Sequence, residues 1–269
     1  MTLDPASLTA LCAAALPEEK LTTADIETCC FGPDTDVLGD ERAAAAVTVK
    51  RSGDIAVAWL LLLAVHPDEQ RRGRGRALVD SAIAHAREQG AIELHLGNCA
   101  PRYVWPGVDF RFTAALALFE ACGFEPYGAE CNMTIPTSLR AEPPAGVTTA
   151  LEVGDGALEL ARRRYPHWID ETERAIERGT CFAAGVGGET VGFACHSANR
   201  AGWIGPMATD PARTRGGVGR ALLAAVCADL EQRGHLRGDI AWVGPVGFYA
   251  KCGATVSRVF RTAKLTLTR

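Results

Sequence analysis

The chain has 269 residues, 48% of them hydrophobic, and a formal net charge of −4. That is enough apolar material for one or two cores, and the slightly acidic balance argues against a nucleic-acid partner. No apolar run reaches membrane-spanning length, the N-terminus lacks the basic start and apolar core of a secretion signal, and the ten cysteines read as reduced thiols of a cytoplasmic protein.

Leu8–Leu16 and Thr23–Cys30 read as short helices. A hairpin follows: Ala43–Lys50, a turn at Ser52-Gly53-Asp54, then Ile55–Val65, a nearly continuous apolar run of the kind that forms a buried strand. Past His66-Pro67 comes a loop of Gly and Arg, comprising Gln70, Arg71, Arg72, Gly73, Arg74, Gly75 and Arg76. It leads into an amphipathic helix with apolar positions Leu78, Val79, Ala82, Ile83 and Ala86. Ile92–Leu96 reads as the next strand, a short helix ends at Leu118–Phe124, and Asn132–Ile135 reads as the last strand of a first unit. Arg140–Gly146, with two prolines, is a linker that continues neither a helix nor a central strand.

Beyond the linker the grammar repeats. Val147–Leu151 opens a second unit, with a helix from about Asp155, a polar helical stretch Ile169–Arg178, strands Cys181–Val186 and Val191–His196, and strand Trp203–Thr209. Asp210-Pro211 then leads into Thr214, Arg215, Gly216, Gly217, Val218, Gly219 and Arg220 and a helix with Leu222, Leu223, Val226, Cys227 and Leu230. Asp239–Val243 reads as a strand and Gly247–Ala254 contains the end of a short helix. Pro67 matches Pro211, Gly73 matches Gly217, Gly75 matches Gly219, Arg76 matches Arg220 and Leu78 matches Leu222 at one constant offset, which is an internal duplication. The expected domains are 1–138 and 147–269, joined by 139–146.

Strand, Pro turn, Gly/Arg loop and helix N-terminus together describe an anion site. Glycines let the backbone turn sharply and approach a ligand, the unpaired N–H groups of the helix favour negative charge, and the arginines add positive charge suited to phosphate. A dinucleotide fingerprint would need a third Gly where Leu78 and Leu222 stand, and a phosphate loop of the Gly-Lys-Ser/Thr type would need a Lys that neither copy has. Cys-x-x-Cys and His-x-x-x-His spacings are missing, so no metal is expected.

Gln70-Arg71-Arg72-Gly73-Arg74-Gly75, in this order of elements and twice over, resembles the Gln/Arg-x-x-Gly-x-Gly/Ala loop of the GCN5-related N-acetyltransferases (GNAT superfamily). The resemblance implies an α/β fold of two tandem domains, each a twisted mixed sheet flanked by helices. It also implies acetyl-CoA as acyl donor, with its pyrophosphate on the two loops. The pantetheine arm would lie between two splayed strands, against Ala64 and Val65 in the first copy and Met207, Ala208 and Thr209 in the second. The acceptor would be an amine of a small molecule or peptide. In the family a Tyr before a Gly commonly stands beside the sulfur of the cofactor; here that is Tyr249, the candidate acid for the departing thiolate.

The copies differ at that point. Phe119 corresponds to Tyr249 and has no proton to give, while Thr214 stands in place of Gln70. The first copy also carries an insertion, Asn98–Asp109, readable as a substrate-binding segment or as a packing loop. One or both domains acting as an acyl-CoA-binding module without turnover therefore remains the alternative. His196, Asp170 and His167 are possible bases or ordinary polar residues, and Trp168, Trp203 and Trp242 are possible acceptor-pocket or core aromatics. His66 and Asp210 fit turn-capping roles. The duplication is compatible with a monomer holding an internal pseudo-dimer or with a homodimer, and the Ala-, Arg- and Gly-rich composition with a GC-rich bacterium.

Overall fold

Two capped helices precede the first hairpin. Asp4 accepts from the Ser7 N–H (2.7 Å) ahead of α1 (Pro5–Ala15), and Thr22 forms a reciprocal capping box with Asp25 at the start of α2 (Thr23–Cys30). The chain continues through β1 (Thr35–Asp40), β2 (Ala43–Ser52), β3 (Ile55–Val65), α3 (Arg74–Glu88), β4 (Ala91–Leu96), β5 (Val108–Asp109), α4 (Thr113–Ala121) and β6 (Glu125–Pro136). The second half runs β7 (Thr148–Leu151), α5 (Gly156–Arg164), α6 (Ile169–Glu177), β8 (Cys181–Val186), β9 (Glu189–His196), β10 (Trp203–Thr209), α7 (Val218–Gln232), β11 (Arg237–Ile240), α8 (Val246–Lys251) and β12 (Thr255–Thr266). This computed structural model describes residues 3–267.

The chain forms two compact units. In the first, β1, β2 and β3 are antiparallel, β3 and β4 are parallel, and β4 is antiparallel to the end of β12. The alanine run of β2 shows how both faces are covered. Ala43, Ala45 and Val47 pack with Leu78, Val79 and Ala82 of α3, while Ala44 and Ala46 pack with Leu8 and Leu11 of α1 and Ile26 of α2. Side chains alternate across a strand, and small ones let helices approach both sides. Burying a leucine such as Leu8 contributes about 1.5–3 kcal/mol.

The second unit repeats the plan. β7, β8, β9 and β10 are antiparallel, β10 and β11 are parallel, and β11 is antiparallel to the end of β6. Leu222, Val226 and Leu230 of α7 fill one face; Ala157, Leu160 and Ala161 of α5, with Ala175 of α6, fill the other.

Several details differ from the sequence reading, three of them in how the sheets are built. The units divide at different places: the second is Cys131–Arg258, and the first runs to Glu130 and takes in the chain from Val259. Asn132–Ile135, expected to close the first sheet, is the end of the longer β6 and pairs β11 in the second. In return Ala263–Thr266 pairs β4 in the first. The strand expected at Asp239–Val243 is displaced to Arg237–Ile240, and Trp242 just beyond it sits at φ 49°, which strand geometry excludes.

Candidate active site

A bulge in β3 starts the site. Leu61 is skipped in the register with β2, and on the other side β3 pairs β4 only as far as Leu60 opposite Leu96. A bulge bends its strand, so Leu61–Val65 parts from the chain that follows Leu96. The second unit does the same. Its β9–β10 register slips between Ile204 and Met207, and β10 pairs β11 only to Ile204 opposite Ile240.

Alternation along an antiparallel pair tells which peptide groups reach the parted edge. His66 N–H donates to Arg42 O (2.8 Å), so Ala64 bonds toward β2 while Leu63 and Val65 face the open side. Asp210 N–H donates to Val191 O (2.8 Å), which turns Ala208 toward β9 and Met207 and Thr209 outward. Among the expected edge residues, then, Val65, Met207 and Thr209 present their backbone and Ala64 and Ala208 do not. The last open carbonyl is capped differently in each copy. Val65 O accepts from Gln70 Nε2 (3.0 Å) and Thr209 O from the Tyr165 hydroxyl (2.8 Å).

The Gly/Arg loops have nearly the same backbone. Arg71 and Arg215 lie at φ 60° and 63°, and Gly73 and Gly217 at φ 82° and 84°. A non-glycine residue held there costs of order 1–3 kcal/mol, and both copies hold it at the same position. Neither α3 nor α7 has a side-chain N-cap bond, which leaves first-turn N–H groups for an anion.

The arginines divide into two sets. Arg74 bonds Asp40 and lies 3.7 Å from Glu69, and Arg76 donates to Ala121 O (2.8 Å), so these two hold the loop to its own unit. Arg71 and Arg72 are exposed, as are Thr214, Arg215, Gly216 and Arg220 in the second loop. Val218 is buried as the first residue of α7. The turn residues cap as expected: His66 Nδ1 accepts from Asp68 N–H (3.3 Å) and Asp210 from Ala212 N–H (2.9 Å).

In the first unit the parted edge opens into a cavity of about 740 Å³. Its walls are Leu60–Val65, the loop residues Gln70, Arg71, Gly73, Gly75 and Arg76, the α4 residues Thr113, Ala115, Leu118 and Phe119, and part of the insertion. Trp105, Gly107, Val108, Asp109 and, just after it, Arg111 and Phe112 contribute to the wall. The insertion is thus a lining segment of this cavity. Asp109 accepts from Arg111 Nε (3.1 Å) and Nη2 (2.9 Å), Trp105 Nε1 donates to Glu19 Oε2 (2.9 Å), and Arg111 Nη2 reaches Glu19 Oε1 (3.4 Å). The bond to Asp109 pushes the guanidinium pKa up, so its charge is permanent. Cys99 also lines the cavity, its thiol pushed up by burial with Lys50 opposing the shift. Glu19, Arg111 and Phe112 were not singled out from sequence; Asp109-x-Arg111 was the available signal.

Tyr249 is buried in the apolar cluster of the second unit, its ring 4.9 Å from that of Phe248. Burial pushes its pKa up to about 12, so the hydroxyl stays protonated at neutral pH. Phe119, its counterpart, meets Phe124 edge-on at 5.4 Å. His196 is fully buried, bonded to Asp229 (2.8 Å) and Ser197 (3.0 Å), away from the loop residues. Trp168 stacks on Tyr165, Trp203 is buried under Arg200, and the Trp242 N–H donates to Asn132 Oδ1 (2.9 Å). Among the described residues no group of His, Cys, Asp or Glu is placed to hold a metal ion, and no helix is long and apolar enough to cross a membrane.

Comparison with known proteins agrees with this geometry. A family profile described as acetyltransferase (GNAT) domain matches residues 34–126, and one described as acetyltransferase (GNAT) family matches 153–254. No curated protein matches the chain. Among solved structures, a GCN5-related glucosamine N-acetyltransferase region of a fungal multi-domain β-N-acetylglucosaminidase aligns with TM-score 0.76 and 19% identity, over 97% of this chain and 37% of that one. This chain therefore spans little more than a third of that protein. A tandem GNAT protein from the clavulanic acid biosynthesis pathway aligns with TM-score 0.71 and 14% identity, over 100% of this chain and 98% of that one. A GCN5-related N-acetyltransferase from Sphaerobacter thermophilus gives TM-score 0.66 and 19% identity, over 100% and 95%. At these identities the likeness is one of fold. With two profile matches on its two repeated halves, the chain belongs to the GNAT family of acetyltransferases as a tandem two-domain member.

Proposed function

We propose that the protein is an acetyl-CoA-dependent N-acetyltransferase that acts on an amine of a small molecule or peptide. One observation carries the reading: in the first unit a left-handed nest, an uncapped helix start, an open strand edge and a cavity of about 740 Å³ are continuous. Such a volume lies within the usual range for a small-molecule site.

Acetyl-CoA would supply the acetyl group as a thioester. The loop from Gln70 to Arg76, through its backbone N–H groups and the exposed Arg71 and Arg72, would hold the pyrophosphate, and Thr214 to Arg220 would do so in the second unit. Leu63 and Val65, or Met207 and Thr209, would pair with the pantetheine amides and aim an N–H at the thioester oxygen. Removing one such preorganised donor typically costs about 3 kcal/mol of transition-state stabilisation. The amine nitrogen would form its bond to the acetyl carbon as the carbon–sulfur bond breaks, losing its proton to solvent. In the second unit Tyr249, protonated and buried, would return a proton to the sulfur.

A second reading rests on Phe119. With no hydroxyl at that place, the first unit would bind acyl-CoA without turnover, as a structural or sensing module. Acetyl-CoA titration by native mass spectrometry and calorimetry, followed by thiol release with an amine panel, tests both. Failure of the folded chain to bind acetyl-CoA removes the proposal. Binding without release of thiol selects the second reading.

A further inference from the structure

Among the described residues Arg111 is the one cationic side chain that the insertion and its continuation bring to the cavity wall, and it is held unusually firmly. Its Nε and Nη2 edge faces Asp109 and Glu19, whose side chains are only 1% and 2% exposed. Asp109 takes both donors of that edge, and its Oδ1 also accepts from the Arg111 backbone N–H (2.7 Å). Glu19 is in turn fixed by Trp105 Nε1. A long, flexible side chain has thereby lost most of its rotamer freedom before any ligand arrives, which removes much of the entropic cost of using it for recognition.

The opposite edge carries only a long ion pair. Nη1 has Glu18 Oε2 at 3.8 Å, beyond hydrogen-bonding distance, and that Glu18 side chain is 81% exposed. Half of the Arg111 side chain remains accessible, on the wall of the same cavity whose other side is the open edge Leu63–Val65. A guanidinium locked from behind, with two N–H groups directed elsewhere, is built to take an anion. The two buried carboxylates behind it limit that anion's charge. With Asp109, Glu19 and Glu18 around one guanidinium, a singly charged anion meets the least repulsion, whereas a phosphate monoester, at about −1.5 to −2, meets more.

We infer that Arg111 is a specificity-determining residue of the first unit and that the acceptor carries a carboxylate, held by Arg111 Nη1, alongside its reacting amine. The inference rests on the acetyl-transfer reading of the first cavity. The carboxylate is not consumed: the amine nitrogen gains the acetyl group and loses a proton, and the thiol of CoA is released.

The test uses the full chain, acetyl-CoA, and common amino acids each paired with its carboxamide and with an O-phosphorylated amino alcohol, read by thiol release. The expected result is transfer to carboxylated amines, with the matching carboxamide and phosphate compounds poorer in kcat/KM by about tenfold or more, the usual weight of a charge-assisted hydrogen bond. Arg111→Gln should raise KM for the carboxylated acceptor by a similar factor while KM for acetyl-CoA is unchanged, and should abolish the preference over the carboxamide. Because Arg111→Gln strands two buried carboxylates, Glu18→Gln provides a second arm: it touches only an exposed side chain, relieves competition at Nη1, and should lower acceptor KM severalfold. Carboxamides used equally well, transfer only to amines without a carboxylate, no transfer to any carboxylated amine by a chain that binds acetyl-CoA, or a Glu18→Gln variant with unchanged KM would each overturn the inference. Loss of acetyl-CoA binding by the folded chain would instead overturn the reading beneath it.

Discussion

Pro144 lies against Gly217. A Cβ placed on that glycine would stand 3.1 Å from Pro144 Cγ, whereas one placed on the equivalent Gly73 would meet no atom within 4 Å. The segment between the repeats therefore touches the second Gly/Arg loop within its own unit, and the first loop carries no such neighbour at this point. Both glycines have left-handed φ, so alanine at either costs about 1–2 kcal/mol in backbone strain. Gly217→Ala must also displace Pro144, and its loss of stability in urea denaturation is expected to exceed that of Gly73→Ala. Equal losses would mean that Pro144 leaves the loop at no cost.

Gly75 and Gly219 allow the two loops to be closed separately. A Cβ on Gly75 would approach Leu118 Cδ2 to 3.2 Å, and one on Gly219 would approach Phe248 to 3.4 Å. A valine at either place fills the space beside the open strand edge, and such overpacking costs typically 1–3 kcal/mol. Gly75→Val is expected to weaken acetyl-CoA binding in the first unit by about tenfold or more, and Gly219→Val in the second. Native mass spectrometry counts the bound cofactor, and thiol release in each variant shows which unit turns over. Unchanged stoichiometry in both variants would remove the loops from cofactor binding.

Tyr249→Phe removes one oxygen from a packed site and should leave the fold and acetyl-CoA affinity unchanged. In a Gly75→Val background, where only the second loop remains open, kcat is expected to fall on the order of a hundredfold, the usual weight of a general acid. With its pKa pushed up to about 12, the hydroxyl imposes no alkaline decline over an ordinary assay range. Full turnover by the double variant would exclude Tyr249 as the acid.

His196 makes the second unit sensitive to acid. Burial lowers its pKa below the ordinary 6.5, outweighing the carboxylate of Asp229, with Arg233 and His235 acting in the same direction as burial. The folded state thus binds fewer protons there than the unfolded state does below pH 6.5. The contribution of neutral His196 is complete above that pH and declines as pH falls, with a slope of at most about 1.4 kcal/mol per pH unit. Urea denaturation between pH 7.5 and 5 should show the decline in wild type and a shallower one in His196→Gln. Identical slopes would assign the acid sensitivity to other groups.

The elements with strong local grammar were legible in sequence. Thr23–Cys30, Ile55–Val65, Cys181–Val186 and Trp203–Thr209 have the boundaries their caps, turns and apolar runs prescribe. β1 was not, because Thr35-Asp-Val-Leu-Gly-Asp40 is an edge strand with two acidic residues and a glycine, and nothing buried on both faces marks it. The Gly/Arg loops were visible through repetition. Of the cavity wall, the insertion with Trp105 and Asp109 was marked in sequence, but Arg111 was not, nor was Glu19 behind it, which meets Trp105 and Arg111 only through tertiary structure. Ala64 and Ala208 show a finer limit: which peptide groups face the open edge depends on strand register, which composition does not encode.

The return of the chain from Val259 into the first unit, against the passage of Cys131–Pro136 into the second, has a genetic consequence. A gene cut at the segment Arg140–Gly146 would yield two polypeptides that are each missing a strand. The upstream product would leave the edge of β4 at Leu94–Leu96 unpaired while carrying Met133 and Ile135 with no core to enter. Exposed strand edges of this kind template aggregation. The place where the repeats meet in sequence is therefore not the place where the units divide, and a break there leaves each half short of one strand of its sheet.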